Sequence, residues 1–242
     1  IKYLLLSDGF TKEADGSTVG AKMPRVSSEF ILTMHYCLPT ISEQQSIATY
    51  LDKKCSEIDK VISTQQKRIA LLQELKQSVI THAVTKGLNP NVEMKDSGVE
   101  WIGEVPKHWD VCRLKWLFNN LDNLREPISA EKRERNNPQY DYYGASGIID
   151  KIDYYNVDDK VLLIAEDGAN LVYRNLPLIY KAAGKFWVNN HSHILKNKKG
   201  VDYEYMFYTL ESADYSNYIT GSAQPKLSQA NLEPVSYTHL RA

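Results

Sequence analysis

The chain has 242 residues, 43% hydrophobic and 24% charged, with a formal net charge of −1, which is ordinary globular material for one or two domains and lacks the strong positive charge of many stand-alone nucleic-acid binders. Its three cysteines, Cys37, Cys55 and Cys112, are far apart and form no CxxC, so neither a zinc site nor a disulfide framework is indicated and a reducing, cytoplasmic setting fits. The longest apolar runs, Tyr3–Leu6 and Val161–Ala165, are far too short to span a bilayer, and the N-terminus shows no signal peptide.

The chain opens on IKYLLLSDGF, which reads as the end of a preceding element, and passes through a Gly- and Ser-containing loop and a short apolar segment, Phe30 to Leu38. From Leu38 to about Ala83 no Gly or Pro follows Pro39, and apolar residues recur at Ile47, Leu51, Cys55, Ile58, Ile62, Ile69, Leu72 and Val79. Their spacing of threes, fours and sevens is a heptad seam, with Gln65 and Lys76 filling the gaps. Ser42 and Gln45 have the spacing of a capping box, Glu43 suits the first turn, and Gly87 and Pro90 end the helix. At 1.5 Å per residue such a helix is a rod of ~60 Å, and with one apolar seam it needs a partner helix.

Gly87 to Asp96 is polar and turn-rich. Trp101, Pro106 and Trp109 then predict a hydrophobic clamp seating this linker on the next domain. From Trp109 to Val235 the pattern is α+β, with strands expected at Lys160–Ala165, Leu176–Tyr180 and Lys185–Leu195, turns at Asp167-Gly168 and Gly184, and a helix over Asp202–Tyr218. The loop that follows repeats the first one. Gly20-Ala21-Lys22-Met23-Pro24-Arg25-Val26-Ser27 aligns without gaps against Gly221-Ser222-Ala223-Gln224-Pro225-Lys226-Leu227-Ser228, an offset of 221 − 20 = 201. The repeat implies a unit made of globular domain, GxxxP[RK] loop, apolar segment and long helix, present here as the tail of one unit, its helix, and the globular domain of a second. Where the first copy continues into Leu38-Pro39-Thr40-Ile41-Ser42-Glu43-Gln44, the second gives Ser236-Tyr237-Thr238-His239-Leu240-Arg241-Ala242, expected to be a foreign tail, from a broken reading frame or added artificially.

LPTISEQQSIATYLD at the head of the helix, IDKVISTQQKRIALLQELKQSVITHAVTKG along it, SGVEWIGEVPKHW after it, and YYGASGIID, EDGANL, WVNNHSHIL and ITGSAQPKLS in the domain together resemble the specificity subunits of type I restriction–modification enzymes, over nearly all of Ile1 to Val235. The resemblance implies an α+β fold: a target-recognition domain with a twisted β-sheet and small helices, attached to one long coiled-coil helix. Residues 1–40 would be the C-terminal remnant of a first recognition domain, 41–86 the spacer helix, 87–108 a linker, 109–235 the second recognition domain and 236–242 the non-native tail. Such subunits read a split, asymmetric double-stranded DNA sequence with two such domains. An antiparallel pair of helical regions spaces those domains and docks methyltransferase subunits and, through them, the restriction subunit. The subunit itself is non-catalytic, with no cofactor or metal of its own; S-adenosylmethionine, ATP and Mg would belong to the partners. The seam residues Leu51, Ile58, Ile62, Ile69, Leu72 and Val79 would then face a second helix that this chain lacks.

The residues give this expectation chemical content. Lys181–Gly200 holds five lysines, two histidines and no acid. Lys185 suits a phosphate, and Asn189 and Asn190 suit adenine's N6 and N7; the bland alternative is a solvated strand and turn. His191 and His193, two apart, would share one face of a strand, available for hydrogen bonding to DNA rather than for a metal, since no Cys or carboxylate stands at ligand spacing nearby. Asp167 is read as fixing its turn, with Asp167 and Asn170 near DNA at most. Tyr143 and Ser146, in YYGASG, are read either as a core strand and turn or as a loop brought to the phosphate backbone. In the repeated loop Ser222, Gln224 and Lys226, with Lys22 and Arg25 in the first copy, carry the strongest expectation of DNA contact, Gln224 reading adenine and the cations holding phosphate or guanine.

Arg125, Arg133 and Arg135, balanced by Glu126, Glu131 and Glu134, read as a solvated face. Asn137-Pro138-Gln139-Tyr140 echoes the Asn-Pro-Pro-aromatic motif of adenine methyltransferases, but Gln replaces the second Pro and no glycine-rich cofactor loop precedes it. Two rival readings remain at this level: a coiled-coil adaptor that binds no nucleic acid, and a small methyltransferase or nuclease.

Overall fold

The computed structural model describes residues 1–20, 23–36, 38–133 and 136–239, so Lys22 lies outside the described residues. The chain divides into two compact units, Ile1–Gln73 and Glu74–Ala242.

The first unit carries α1 (Lys2–Leu5), α2 (Asp8–Gly16), α3 (Ser28–Thr33) and most of α4 (Ile41–Lys86). Ser7 and Ser27 cap α2 and α3 by accepting from the amides of Phe10 and Phe30. The capping box of α4 is Thr40–Glu43, not Ser42–Gln45. The Glu43 carboxylate accepts from the Thr40 amide at 2.9 Å and the Thr40 hydroxyl accepts from the Glu43 amide at 3.4 Å. Both pairs have the required spacing, but a carboxylate accepts more strongly than an amide and its charge suits the helix N-terminus. The Thr40 hydroxyl, which also donates to the Glu43 carboxylate at 2.7 Å, and the Thr40 amide together hold the Glu43 carboxyl below its usual range.

None of the described residues from Ile1 to Gln73 is buried. On the seam, Ile58, Ile62, Ile69 and Leu72 are 56%, 49%, 56% and 54% exposed. An apolar row left this bare favours self-association. The double variant Ile62→Lys/Ile69→Lys is therefore expected to change unfolding free energy by less than about 0.5 kcal/mol, while removing any rise of sedimentation coefficient with concentration. An unchanged concentration dependence would contradict that role for the seam.

The second unit begins with the end of α4 and continues through β1 (Met94–Asp96), β2 (Glu104–Pro106), β3 (Asp110–Arg113), α5 (Leu114–Leu117), β4 (Phe118–Asn120), β5 (Tyr140–Gly144), β6 (Gly147–Ile152), β7 (Val157–Ala165), α6 (Asn170–Tyr173), β8 (Ile179–Val188), β9 (Ser192–Asn197), α7 (Tyr203–Ser212), α8 (Gln229–Leu232) and β10 (Ser236–His239). The described residues form a six-stranded sheet of order β4-β9-β7-β8-β5-β6, mostly antiparallel, with β5 parallel to β8. The central β7 is buried on both faces, which is why VLLIA reads as a continuous apolar run. Strand alternation sends Leu162 and Ile164 into one cluster with Leu195, Met206, Leu210 and Tyr237, and Val161 and Leu163 into another with Phe186 and Ile194.

The expected clamp packs Trp109 edge-on to Tyr205 and Trp101 edge-on to Tyr237, each at 6.3 Å between ring centroids. The expected strand Lys185–Leu195 is instead the end of β8, a turn and the start of β9, and Gly184 lies inside β8 rather than in a turn. The expected helix Asp202–Tyr218 ends at Ser212, with Asp202 as its cap. Ser236–His239, expected to be foreign, pairs with β3; Tyr237 is fully buried with its hydroxyl 3.1 Å from that of Tyr215, and the Thr238 hydroxyl donates to the Val84 carbonyl at 2.7 Å. Residues 240–242 lie outside the described residues.

Candidate nucleic-acid interface

Four stretches that look unrelated in sequence meet at one place in the second unit. The turn between β5 and β6, Ala145-Ser146, adjoins the turn between β8 and β9, Asn189–His191. The Asn189 amide donates to the Tyr143 carbonyl at 3.1 Å, and the Ser192 hydroxyl donates to the Gly144 carbonyl at 2.8 Å. The β8–β9 turn adjoins the end of β7, where the Glu166 amide donates to His191 O at 2.9 Å and His191 Nδ1 lies 2.7 Å from Asp167 Oδ2. The end of β7 carries the Thr220–Leu227 loop, through Gly168 N–H to Pro225 O at 3.0 Å and Leu227 N–H to Glu166 O at 2.7 Å.

The two copies of the repeated loop share one backbone design. Val19 bridges Arg25 and Thr220 bridges Lys226; Gly20 and Gly221 both have positive φ, at 108° and 84°; Ser27 and Ser228 each cap the helix that follows. In the second copy Ser222, Ala223 and Gln224 are exposed at the tip.

Beneath this face lies a buried ion network that sequence reading missed. His193 is 0% exposed; its Nδ1 is 2.5 Å from Asp122 Oδ2 and its Nε2 2.8 Å from the Leu227 carbonyl. Asp122 Oδ1 also accepts from the Ile194 amide at 2.8 Å. Arg125 pairs with Glu166 and, at 3.3 Å, with Asp122, and reaches the Ser192 and Asn190 carbonyls at 3.3 and 3.4 Å. Lys226 Nζ lies 3.0 Å from Glu166 Oε1. Asp122, Glu166 and His193 could between them supply ligand atoms to a metal ion. The carboxylates instead accept from Arg125, Lys226 and the Ile194 amide, and both ring nitrogens of His193 face oxygens, so these atoms are already engaged within the protein.

Both carboxyls of the network lie below the usual carboxylate range. Burial pushes Asp122 up, but the hydrogen bond and charge of His193, the Ile194 amide and Arg125 outweigh it. Burial likewise pushes Glu166 up, and hydrogen bonds from Arg125 and Lys226 with the charges of His193 and Arg125 outweigh it. A depressed carboxyl contributes stability that is present above its unfolded pKa, about 4, and is lost as pH falls through the folded value. Thermal midpoints should therefore fall below about pH 4 more steeply for the wild-type chain than for Asp122→Asn; parallel curves would contradict the assignment.

The expected DNA-facing residues divide. Ser146, Asn190, His191, Ser222, Gln224 and Lys226 lie on the shared face and are exposed. Asn189 is buried and spends its side-chain oxygen on the His191 amide, Tyr143 is buried edge-on to Phe186, and His193 is fully buried; these three cannot reach a ligand outside. The alternation argument failed for the histidines because His191 sits in the turn and only His193 in the strand. Lys185 stands over the Tyr155 ring at 4.6 Å, and none of these contacts joins it to the face. The dense lysine run is also dispersed: Lys181 pairs with Glu204, Lys196 with Asp159, and Lys198 donates to the Lys115 carbonyl. Arg25, in the first unit, is exposed. Arg125, expected on a solvated face, is in the buried network, and Arg133 pairs with Asp150 at 3.0 Å.

Among the described residues, no helix is long and apolar enough to cross a membrane. The mixed sheet of the second unit gathers polar loop tips at one place, above the buried network of Asp122, Arg125, Glu166 and His193. Residues 106–236, more than half the chain, match the type I restriction modification DNA specificity domain, and the chain belongs to that family. It is 31% identical over 119 residues to a protein of Haemophilus influenzae named as a type I restriction enzyme specificity subunit, covering 49% of this chain and 30% of that one. A type I restriction enzyme specificity subunit of Methanocaldococcus jannaschii is 32% identical over 112 residues, covering 46% and 24%. A chain from a solved structure described as the structural basis of complex assembly and conformational transition of the type I R-M system shares the fold, with TM-score 0.69 and 13% identity over 99% of this chain and 58% of that one. The two curated matches span less than a third of those relatives' lengths.

Proposed function

We propose that this chain acts in DNA sequence recognition as part of a type I restriction–modification specificity subunit, with the shared loop face of the second unit as its reading surface. The observation that carries the reading is convergence: exposed Ser146, Asn190, His191, Ser222 and Gln224 come from three separate segments and meet on one face. Amide, hydroxyl and imidazole groups of this kind read base edges, while exposed cations and backbone amides hold phosphates. Gln224 suits adenine. Lys226, although paired with Glu166, is 53% exposed at its side chain and has donors left for a phosphate.

On this reading methyl transfer, ATP hydrolysis and cleavage belong to partner subunits, with S-adenosylmethionine, ATP and Mg as their cofactors. The bare seam of α4 within the first unit, Ile58, Ile62, Ile69 and Leu72, is the docking surface for a second helical region and for methyltransferase subunits, and the restriction subunit joins through these. The adaptor alternative leaves the convergent polar face unexplained.

Fluorescence anisotropy with labelled duplex DNA over a salt series tests the reading. Binding is expected to weaken steeply and linearly in a log–log plot against salt, and Ser222→Ala/Gln224→Ala is expected to lower sequence preference with little change in slope. No binding, or binding indifferent to salt, would overturn it.

A further inference from the structure

We propose that His193, working with Asp122, Glu166 and Arg125, is the positioning residue of the reading loop: the buried network sets where the Thr220–Leu227 loop sits, while the loop's own backbone sets its shape. This rests on the reading of that loop as a DNA-facing element.

Shape and placement have separate causes here. Among the described residues of the first copy the same features recur: the Val19–Arg25 bridge, the left-handed glycine at Gly20 and the serine cap at Ser27. Features present in both copies are attributed to the local sequence, the octapeptide and the residue before it. Placement depends on groups outside the octapeptide. The Leu227 amide and carbonyl are gripped from two sides, by Glu166 O at 2.7 Å and by His193 Nε2 at 2.8 Å. The two ring nitrogens of His193 face Asp122 Oδ2 on one side and the Leu227 carbonyl on the other. The ring is then a strut between Asp122 and the loop. Asp122 is itself held by Arg125 and the Ile194 amide, and Arg125 by Glu166 and the carbonyls of the β8–β9 turn. One set of charges thus locks two of the exposed turns to each other. Having no exposed surface, His193 influences DNA only through the residues it places.

Amide hydrogen exchange on the full chain tests this, with His193→Leu and His193→Gln. In His193→Leu, protection of the Leu227 and Gly168 amides is expected to fall at least tenfold, while the Thr220 and Lys226 amides, bonded to each other's carbonyls at 2.9 and 2.7 Å, stay protected. His193→Gln is expected to be intermediate, because its amide can still donate to Leu227 O. Uniform loss at all four amides, or no loss, would overturn the proposal. If His193→Leu does not fold, Asp122→Asn, nearly isosteric, carries the same comparison. A second arm selects duplexes from a randomised library: His193→Leu is expected to lose sequence enrichment at least tenfold while keeping the wild-type salt slope, and retained enrichment would overturn the proposal. Failure of the wild-type chain to bind DNA would refute the DNA reading alone, leaving the exchange result to decide the positioning role.

Discussion

Replacing Asp122 by Ala is expected to destabilise the second unit by about 3–5 kcal/mol, the cost of removing one partner from a buried ion pair and leaving the other charge uncompensated. Asp122 supports three groups at once. His193, fully buried, would lose the acceptor at Nδ1; Arg125, only 16% exposed at its side chain, would lose one of two carboxylates; and the Ile194 amide, in β9, would lose its acceptor. Asp122→Asn keeps the shape and one acceptor oxygen, so its cost should be clearly smaller. The check is urea unfolding followed by tryptophan fluorescence, since Trp101, Trp109, Trp116 and Trp187 all lie in this unit. A loss below about 1 kcal/mol for Asp122→Ala, the scale of an average point substitution, would mean that the network is not a coupled buried unit.

Gly221→Ala is expected to abolish sequence preference while sparing most of the fold. A Cβ there would lie 2.5 Å from the Gln224 carbonyl oxygen, closer than real contacts allow, and φ is 84°. The left-handed conformation alone costs an L-residue about 1–2 kcal/mol. The clash is with the backbone carbonyl of Gln224 itself, so the tip must open and carry the Gln224 side chain with it. In the first copy the same substitution at Gly20 meets the Met23 carbonyl at 3.0 Å, a milder conflict. Duplex selection should therefore show at least a tenfold drop in enrichment for Gly221→Ala with cooperative unfolding retained; unchanged enrichment would make the loop's shape irrelevant to reading.

What the sequence disclosed depended on range. The helix was legible because its rule is local: 46 residues from Ile41 to Lys86 without Gly or Pro, with a seam every three or four. The repeated loop was legible because two copies of a self-determined octapeptide announce each other. The ion network was not, because its members come from four separate stretches of chain. Arg125 looked neutralised by Glu126 and its neighbours, whereas its partner Glu166 is 41 residues away. Equally, Lys181, Lys185, Lys196, Lys198 and Lys199 looked like a basic patch because local sequence shows only the neighbours along that stretch. Strand pairing brings Asp159 to Lys196 and helix packing brings Glu204 to Lys181. Asn189 and His193 were expected to face DNA, but both are buried and their bonds turn inward, to the turn backbone and to Asp122.

The measurement closest to the central claim is selection of duplex DNA by the full chain from a randomised library, read by sequencing and repeated with Gln224→Ala and Asn190→Ala. If the loop face reads bases, the wild-type chain enriches a defined motif, each variant relaxes one or two positions of it by roughly tenfold, as expected for a lost bidentate contact worth about 1–3 kcal/mol, and the salt slope stays the same. Absence of any enriched motif, or a motif that both variants leave untouched, would contradict the account.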